Sequence, residues 1–266
     1  MPEGDTVYLS AKNLNAALAG AVVTRCDIRV PAFATVDLTG DVIEGVVSRG
    51  KHLLMRIGDH SIHSHLKMEG SWHLYRHGTA WMRPEHQARA VIETADWVAV
   101  GFSLGTLEVW RRAEESELDY LGPDLLGADW DALLAAQNLL REPAVPAFVA
   151  LHEQRNLAGL GNEYVNDLLF LRGIHPWRPI GTVDMDGLLI AAHRAIHANK
   201  DRSIRSLTGD LRPKKTSWVY GRVGQPCRRC GTRIEKGQLG PTPHIQRDVY
   251  WCPLCQPEKQ GQPEAF

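Results

Sequence analysis

Four of the five cysteines stand in two pairs, Cys227-x2-Cys230 and Cys252-x2-Cys255, with 21 residues between the pairs. Two such knuckles can offer four thiolates to one ion, the chemistry of a tetrahedral structural Zn2+ site. Disulfides are the other reading, disfavoured in a chain that carries no export signal. Cys26, in a run with strand character, reads as a small buried hydrophobe. A second chemistry sits at the amino terminus, where removal of Met1 would leave Pro2 with a free secondary amine. An α-amino group titrates near about 7.7 to 8.0, and the positive end of a helix lowers it further, so part of it is neutral and nucleophilic. Such an amine can attack an electrophilic carbon and form an iminium, with Glu3 beside it placed to exchange protons. By itself, a Met-Pro-Glu start is an ordinary beginning of a chain. A third signal is Asn156-Leu157-Ala158-Gly159-Leu160-Gly161-Asn162, whose glycines allow a tight turn between helices with exposed backbone N–H groups. Such turns bind phosphate, although ordinary helix capping explains a lone GxG equally well.

Net charge is −1, from 30 basic and 31 acidic residues, but the charges are unevenly placed. Between Glu85 and Glu142 there are 12 acids against four Arg and no Lys; between Lys200 and Lys236 there are 11 Lys or Arg against three acids. The second segment is concentrated enough to draw a polyanion, or else forms a solvated basic face. His60, His63 and His65 lie close together, with His63 and His65 on one strand face. No carboxylate cluster accompanies them in the sequence, so they read as surface and core residues rather than a second metal site.

The elements that must hold these residues follow from periodicity. A helix capped by Asp5 or Thr6 and carrying Val7, Ala11, Leu14 and Leu18 ends at Gly20. Short runs rich in Val, Ile, Leu and Trp follow: 22–30, 42–48, 52–57, 61–66, 88–93, 97–102 and 107–110. Strands without intervening helices imply a β-sandwich or barrel rather than a parallel sheet. An acidic stretch at 114–131 predicts a hinge, and helical periodicity then predicts helices at 129–140, 146–155, 163–172 and 185–199. With 266 residues, 44% apolar and 23% charged, the chain fits roughly two globular domains and excludes disordered, collagen-like and coiled-coil classes. No stretch reaches the roughly 18 apolar residues of a spanning helix, and the start is acidic where a signal peptide is basic. Cytoplasmic residence is therefore expected.

Read in order, Met1-Pro2-Glu3-Gly4, Arg49-Gly50-Lys51-His52-Leu53-Leu54, Ser64-His65-Leu66-Lys67-Met68-Glu69-Gly70, Leu121-Gly122-Pro123-Asp124, Gly159-Leu160-Gly161-Asn162-Glu163-Tyr164, Tyr220-Gly221-Arg222-Val223-Gly224-Gln225-Pro226-Cys227 and Arg247-Asp248-Val249-Tyr250-Trp251-Cys252-Pro253-Leu254-Cys255-Gln256 form one series. In it the chain resembles the formamidopyrimidine-DNA glycosylase and endonuclease VIII family of base-excision repair enzymes over nearly its whole length. Gly4 and the Arg-Gly-Lys context are closer to the endonuclease VIII branch. The resemblance implies an α+β fold: an N-terminal helix plus β-sandwich domain, then a helical helix-two-turn-helix domain with a C-terminal zinc-finger β-hairpin. Boundaries are expected at 1–120, 121–222 and 223–258, with a mobile tail at 259–266. It also implies a bifunctional glycosylase and lyase acting as a monomer on DNA with oxidised bases, mainly pyrimidines, or abasic sites. Pro2 would attack C1′, and β,δ-elimination would follow. Glu3 matches the acid–base residue and Lys51 the hairpin residue that meets phosphate or sugar near the lesion. Asn162 and Arg247 match the pair that grips the flanking phosphates, and Met68 the wedge inserted where the base has left. Cys227, Cys230, Cys252 and Cys255 would hold one structural Zn2+.

Departures from the family pattern set further expectations. Thr6 stands where most relatives have a second glutamate, and Asp167 replaces a glutamate. Arg111, Arg112 and Glu114 do not reproduce the gap-filling pattern of the 8-oxoguanine branch. The span between the CxxC pairs is longer than usual, which predicts an extra loop on the finger. Arg202, Arg212, Lys214 and Lys215 are expected to face DNA and the acidic stretch to face away. Two other classes stay open at this point: a non-catalytic zinc-finger protein that binds damaged or single-stranded DNA, and an N-terminal-proline tautomerase, which would need neither zinc nor a basic face.

Overall fold

The computed structural model describes residues 2–258, so the expected mobile tail lies outside the described residues. The chain divides between Tyr120 and Leu121 into two compact units.

The first unit opens with α1 (Gly4–Leu18), whose Val7, Ala11, Leu14 and Leu18 recur at helical spacing and are buried. Burial of each such leucine contributes roughly 1.5–3 kcal/mol. Neither Asp5 nor Thr6 caps the helix; Glu3 takes the cap position, and the Asp5 carboxylate accepts from Thr6 N at 2.7 Å. Eight antiparallel strands follow: β1 (Arg25–Ile28), β2 (Ile43–Arg49), β3 (His52–Ile57), β4 (His60–His65), β5 (Ser71–Tyr75), β6 (Ala88–Glu93), β7 (Val98–Phe102) and β8 (Thr106–Arg111). They form two four-stranded sheets, ordered β1-β6-β7-β5 and β2-β3-β4-β8. One core gathers α1 with Ile43, Val46, Leu53, Met55, Ile57 and Ile62 of the second sheet and Ala90, Ile92 and Ala99 of the first. Asn15 Oδ1 accepts from Val46 N at 2.8 Å, fixing α1 on β2. Strand β5 was not expected from the sequence, although Ser71 and His73 alternate with Trp72 and Leu74, because the alternation lasts only five residues.

The stretch 114–131, expected as a hinge, contains the division at Tyr120/Leu121 and is ordered at both ends. Arg112–Leu118 is a 3-10 helix. Its Glu115 accepts from Arg56 at 3.1 and 2.7 Å and from the Ser61 hydroxyl, so it belongs to the β3–β4 sheet. After the boundary, Gly122 N donates to Gln154 O and Ala158 N to Pro123 O, both at 2.9 Å, which ties the start of the second unit to its own helical turn.

The second unit contains α2 (Ala132–Leu139), α3 (Ala147–His152), α4 (Asn162–Leu171) and α5 (Met185–His197), then β9 (Glu235–Thr242) and β10 (Ile245–Trp251). Helices α2 and α5 start later than, or at, the expected residue because Asp131 and Asp184 are their caps, accepting from Leu134 N and Gly187 N at 2.9 and 3.1 Å. Such a cap contributes about 1 kcal/mol. Helix α3 stops at His152, short of the expected 155, because residues 153–161 form the turn into α4. Leu151, Leu157, Leu160, Tyr164, Leu168, Leu188, Ile196 and Val249 share this unit's core. The long span between the CxxC pairs does not make an extra loop: β9 and β10 absorb it, pairing from Trp251↔Glu235 up to Ile245↔Thr242. The register slips between Ile245 and Arg247, and a Cβ on Gly240 would lie 1.7 Å from Ile245 O, so only glycine fits at the slip. Among the described residues no helix is long and apolar enough to cross a membrane.

Candidate functional site

In the first unit, Glu3 is 0% exposed and heads α1, and its carbonyl accepts from Val7 N at 3.1 Å. A carboxylate out of water is costly unless its surroundings compensate. Pro2 is half-buried immediately before it. Thr6 Oγ1 donates to Asp5 Oδ1 at 3.3 Å, so the position that departs from the family pattern is tied to a buried neighbouring carboxylate.

Lys51 lies in the two-residue turn Gly50-Lys51 that joins β2 to β3, with Arg49↔His52 as the closing pair. Met68 lies in the turn after β4 and is 65% exposed, an apolar tip rather than core filler. That turn is tightly built. Gly70 N donates to Leu66 O at 2.9 Å, and a Cβ on Gly70 would come within 2.5 Å of the same oxygen. Lys67 has φ of 52°, a left-handed conformation disfavoured for a residue with a Cβ. Its N–H donates to His65 Nδ1 at 2.9 Å. The two turns belong together, because His52, which follows Lys51, is the cross-strand partner of His65, which precedes the Met68 turn. Although no carboxylate cluster gathers around the histidines, β8 places one carboxylate, Glu108, directly opposite His63, with Nδ1 to Oε2 at 2.9 Å. Arg112 pairs with Glu44 at 2.9 Å, and Arg111 N donates to Glu114 Oε2, so both residues serve the 3-10 helix.

In the second unit, Asn162 and Arg247 come together. Asn162 opens α4, and its Nδ2 donates to the carbonyl of Asp248 at 3.0 Å, next to the exposed Arg247. Asn166 completes the joint, with Tyr250 N donating to its Oδ1 at 2.6 Å and its Nδ2 donating to Asn162 O at 2.7 Å. The turn before α4 is held by side chains that the sequence did not single out. Gln154 accepts from Gly159 N at 3.1 Å and donates to Leu160 O at 3.1 Å, while Asn138 donates to Asn156 O at 3.2 Å. Asp167, wholly buried, accepts from the backbone N–H groups of Trp218, Val219 and Tyr220 at 2.7, 2.9 and 3.1 Å. Burial pushes its carboxyl up to about 6, against the pull of those three donors. The shorter side chain at this position thus anchors the segment that leads into the first CxxC knuckle.

Cys227, Cys230, Cys252 and Cys255 have their sulfurs within 4.8 Å of one another. Cys227 Sγ lies 3.9 Å from Cys255 Sγ, and Cys230 Sγ 3.5 Å from Cys252 Sγ. Disulfides would need sulfurs at about 2.05 Å, whereas a tetrahedron with about 2.3 Å metal–sulfur bonds has edges near 3.8 Å. The four thiols therefore fit one metal ion. Among the described residues no other group of His, Cys, Asp or Glu converges in this way. Cys26 is half-buried against the first core, and burial pushes its thiol up, away from reactivity.

The basic segment from Lys200 to Lys236 divides into two kinds of cation. Arg222 is buried and donates to the carbonyls of Trp218 and Pro226, the latter at 2.8 Å. Arg228 donates to Ser217 O and Lys214 O at 3.0 and 2.8 Å, and Arg205 pairs with Glu163 at 2.9 Å. Arg202, Arg212, Lys214 and Lys215 are exposed, although Arg212 is paired with Asp210.

The family model for the formamidopyrimidine-DNA glycosylase N-terminal domain matches residues 1–103. A "DNA-(apurinic or apyrimidinic site) lyase Nei2" of Mycolicibacterium smegmatis is 50% identical, covering 96% of this chain and 99% of the relative. A "Probable endonuclease 8 2" of Streptomyces coelicolor is 48% identical, covering 96% and 94%. Among solved structures, MutM in complex with carbocyclic 8-oxo-G containing DNA has a TM-score of 0.79 at 26% identity, over 97% of this chain and 100% of that one. With identity this high over essentially the full length of both sequences, the chain belongs to the formamidopyrimidine-DNA glycosylase and endonuclease VIII family, in its endonuclease VIII-like branch.

Proposed function

We propose that this protein is a bifunctional DNA glycosylase and abasic-site lyase that removes oxidised bases, chiefly pyrimidines, and acts as a monomer in the cytoplasm. The observation that carries this reading is the pairing of Pro2 with a wholly buried Glu3 carboxylate at the head of α1, in a chain half identical to a relative named as an abasic-site lyase. With Met1 removed, the neutral Pro2 nitrogen attacks C1′ of the damaged nucleotide. The N–C1′ bond forms, the bond from C1′ to the base breaks, and the base departs with the electron pair. The Glu3 carboxylate takes the proton that the Pro2 nitrogen sheds on forming the N–C1′ bond and returns it to the ring oxygen, whose bond to C1′ breaks as the nitrogen lone pair forms the iminium. Loss of a proton from C2′ then expels the 3′ phosphate, and a second elimination expels the 5′ phosphate.

The remaining residues hold DNA in place for this chemistry. Lys51 meets a backbone phosphate or the sugar. Met68 enters the gap left by the extruded base and offsets lost stacking. Asn162 keeps a second amide hydrogen for a phosphate oxygen while the first holds the β10 backbone, and Arg247 grips a neighbouring phosphate. The four cysteines would hold Zn2+, which braces the β9–β10 hairpin and takes no part in the reaction.

Reduction by borohydride during turnover tests the reading. Wild-type protein incubated with an abasic-site duplex should give a covalent protein–DNA adduct; Pro2→Gly, or a form that retains Met1, should give none. An adduct that persists at full yield without the Pro2 amine would overturn the assignment. No adduct in any form would leave a DNA-binding protein without catalysis.

A further inference from the structure

Three imidazoles occupy the face of the β2-β3-β4-β8 sheet that is turned away from α1. The core-facing residues of β3 are Leu53, Met55 and Ile57, so His52 alternates to the other face, where its partner His65, then His63 and Glu108, also lie. His63 is 5% exposed in its side chain, and its ring stacks on Trp110 at 3.9 Å between centroids. His52 lies 5.1 Å from both His63, nearly parallel, and His65, edge to face.

Hydrogen-bond chemistry fixes the tautomers. A carboxylate oxygen only accepts, so His63 Nδ1 carries the hydrogen directed at Glu108. In the neutral ring His63 Nε2 then accepts, and His52 Nδ1 donates to it at 2.8 Å. His52 Nε2 is left as an acceptor, and the Tyr120 hydroxyl donates to it at 3.4 Å. Every donor in the row Tyr120, His52, His63, Glu108 therefore points the same way. His65 Nδ1 must likewise be an acceptor, because the Lys67 N–H is directed at it.

We propose that this oriented row of imidazoles is a positioning device that holds the Lys51 turn and the Met68 turn in register with each other on the substrate side of the sheet. The inference rests on the roles assigned to Lys51 and Met68 above. His52 is bonded to Lys51 through the backbone and is locked in rotation by His63; its edge contact sets the plane of His65, and His65 holds Lys67 in its left-handed conformation one residue before Met68. An apolar side chain could fill the same space, but it would have no acceptor for the Lys67 N–H. The groups facing the row are Lys51 from the β2–β3 turn, Lys67 from the turn after β4, Glu108 from β8 and Tyr120 at the end of the unit. Burial first, and then the crowding of neighbouring imidazoles and of Lys67 and Lys51, push His52 down to about 3 and His65 to about 4, which keeps both rings in the neutral form the geometry requires. The imidazoles are not a cation site, because among the described residues only the four cysteines gather their ligand atoms.

Three variants test the proposal in the full-length protein. His63→Phe keeps a flat ring on Trp110 and removes both hydrogen bonds. Glu108→Leu removes the acceptor at a side chain that is 41% exposed, so folding is retained. Glu108→Gln keeps an acceptor for His63. The measurements are kcat and KM for cleavage of an abasic-site duplex, and the fluorescence change of 2-aminopurine placed next to that site, which reports Met68 insertion. Misplacement of a positioning group by a fraction of an ångström predicts a loss of kcat of about ten-fold. His63→Phe and Glu108→Leu should show that loss with KM within about two-fold, together with a diminished fluorescence change, while Glu108→Gln stays near wild type. Wild-type kcat and fluorescence in both Glu108→Leu and His63→Phe would overturn the proposal, as would a loss that merely tracks the folded fraction in a thermal melt. Borohydride trapping separates this outcome from failure of the functional reading: every variant should still give the Pro2 adduct, whereas a wrong nucleophile would leave wild type itself without one.

Discussion

Asp167 is the residue at which sequence and structure say most different things. Read along the chain, it is a carboxylate one methylene short of the family's usual side chain; in the fold it is an anchor for three consecutive backbone N–H groups. Nothing local announces that, because its partners lie more than 50 residues away. The histidines are alike in this respect. His63 and His65 were legible as sharing a face, but Glu108 and His52 join them only through strand pairing. These buried titrating groups make stability depend on pH. His52 and His65 titrate at about 3 and about 4 in the folded protein, against an ordinary 6.5. As pH falls below 6.5 the unfolded chain takes up protons that the folded protein refuses, so stability declines. Asp167, raised from 3.8 to about 6, acts in the opposite sense over that lower range, but burial also lowers His63, His73, His175 and His193, which act with His52 and His65. The urea midpoint should be lower at pH 5 than at pH 7, and His52→Phe combined with His65→Leu should flatten the difference. Equal midpoints in the wild type would contradict this account.

At the scale of elements, the CxxC knuckles and the alternating strands were readable because their periods are local. Strand β5 was not, since its alternation runs over only five residues, and the finger's extra length reads as a loop because a continuing hairpin has no mark of its own in sequence. The joint between α4 and β10, made by Asn162 and Asn166, couples the helical turn to the hairpin. Loss of a metal ion held by the four cysteines should therefore be felt beyond the finger. Stripping it with a strong chelator is expected to weaken binding to abasic-site DNA by at least about ten-fold, or 1.4 kcal/mol. It should also lower a thermal transition of the second unit while leaving that of the first in place. Unchanged affinity in metal-free protein, verified by elemental analysis, would refute that coupling.

Across the whole molecule, a net charge of −1 conceals a segment in which some cations support the backbone and others meet solvent. The two kinds predict different phenotypes. Replacing Lys214 and Lys215 with alanine should reduce the slope of log affinity against log salt by about one per residue that touches phosphate, and leave melting unchanged. Arg222→Ala should keep the slope and destabilise the fold by about 2 kcal/mol, because it removes the buried guanidinium's charge-assisted hydrogen bonds to the carbonyls of Trp218 and Pro226. A reversed pattern in salt titration and thermal melting would show that the division has been misassigned. The same division sets what exchange each position can bear. Where an ammonium or a guanidinium only has to be positive, lysine and arginine are interchangeable; at Arg222, whose planar fork reaches two carbonyls and the Gln225 side chain at once, a single-headed lysine cannot substitute.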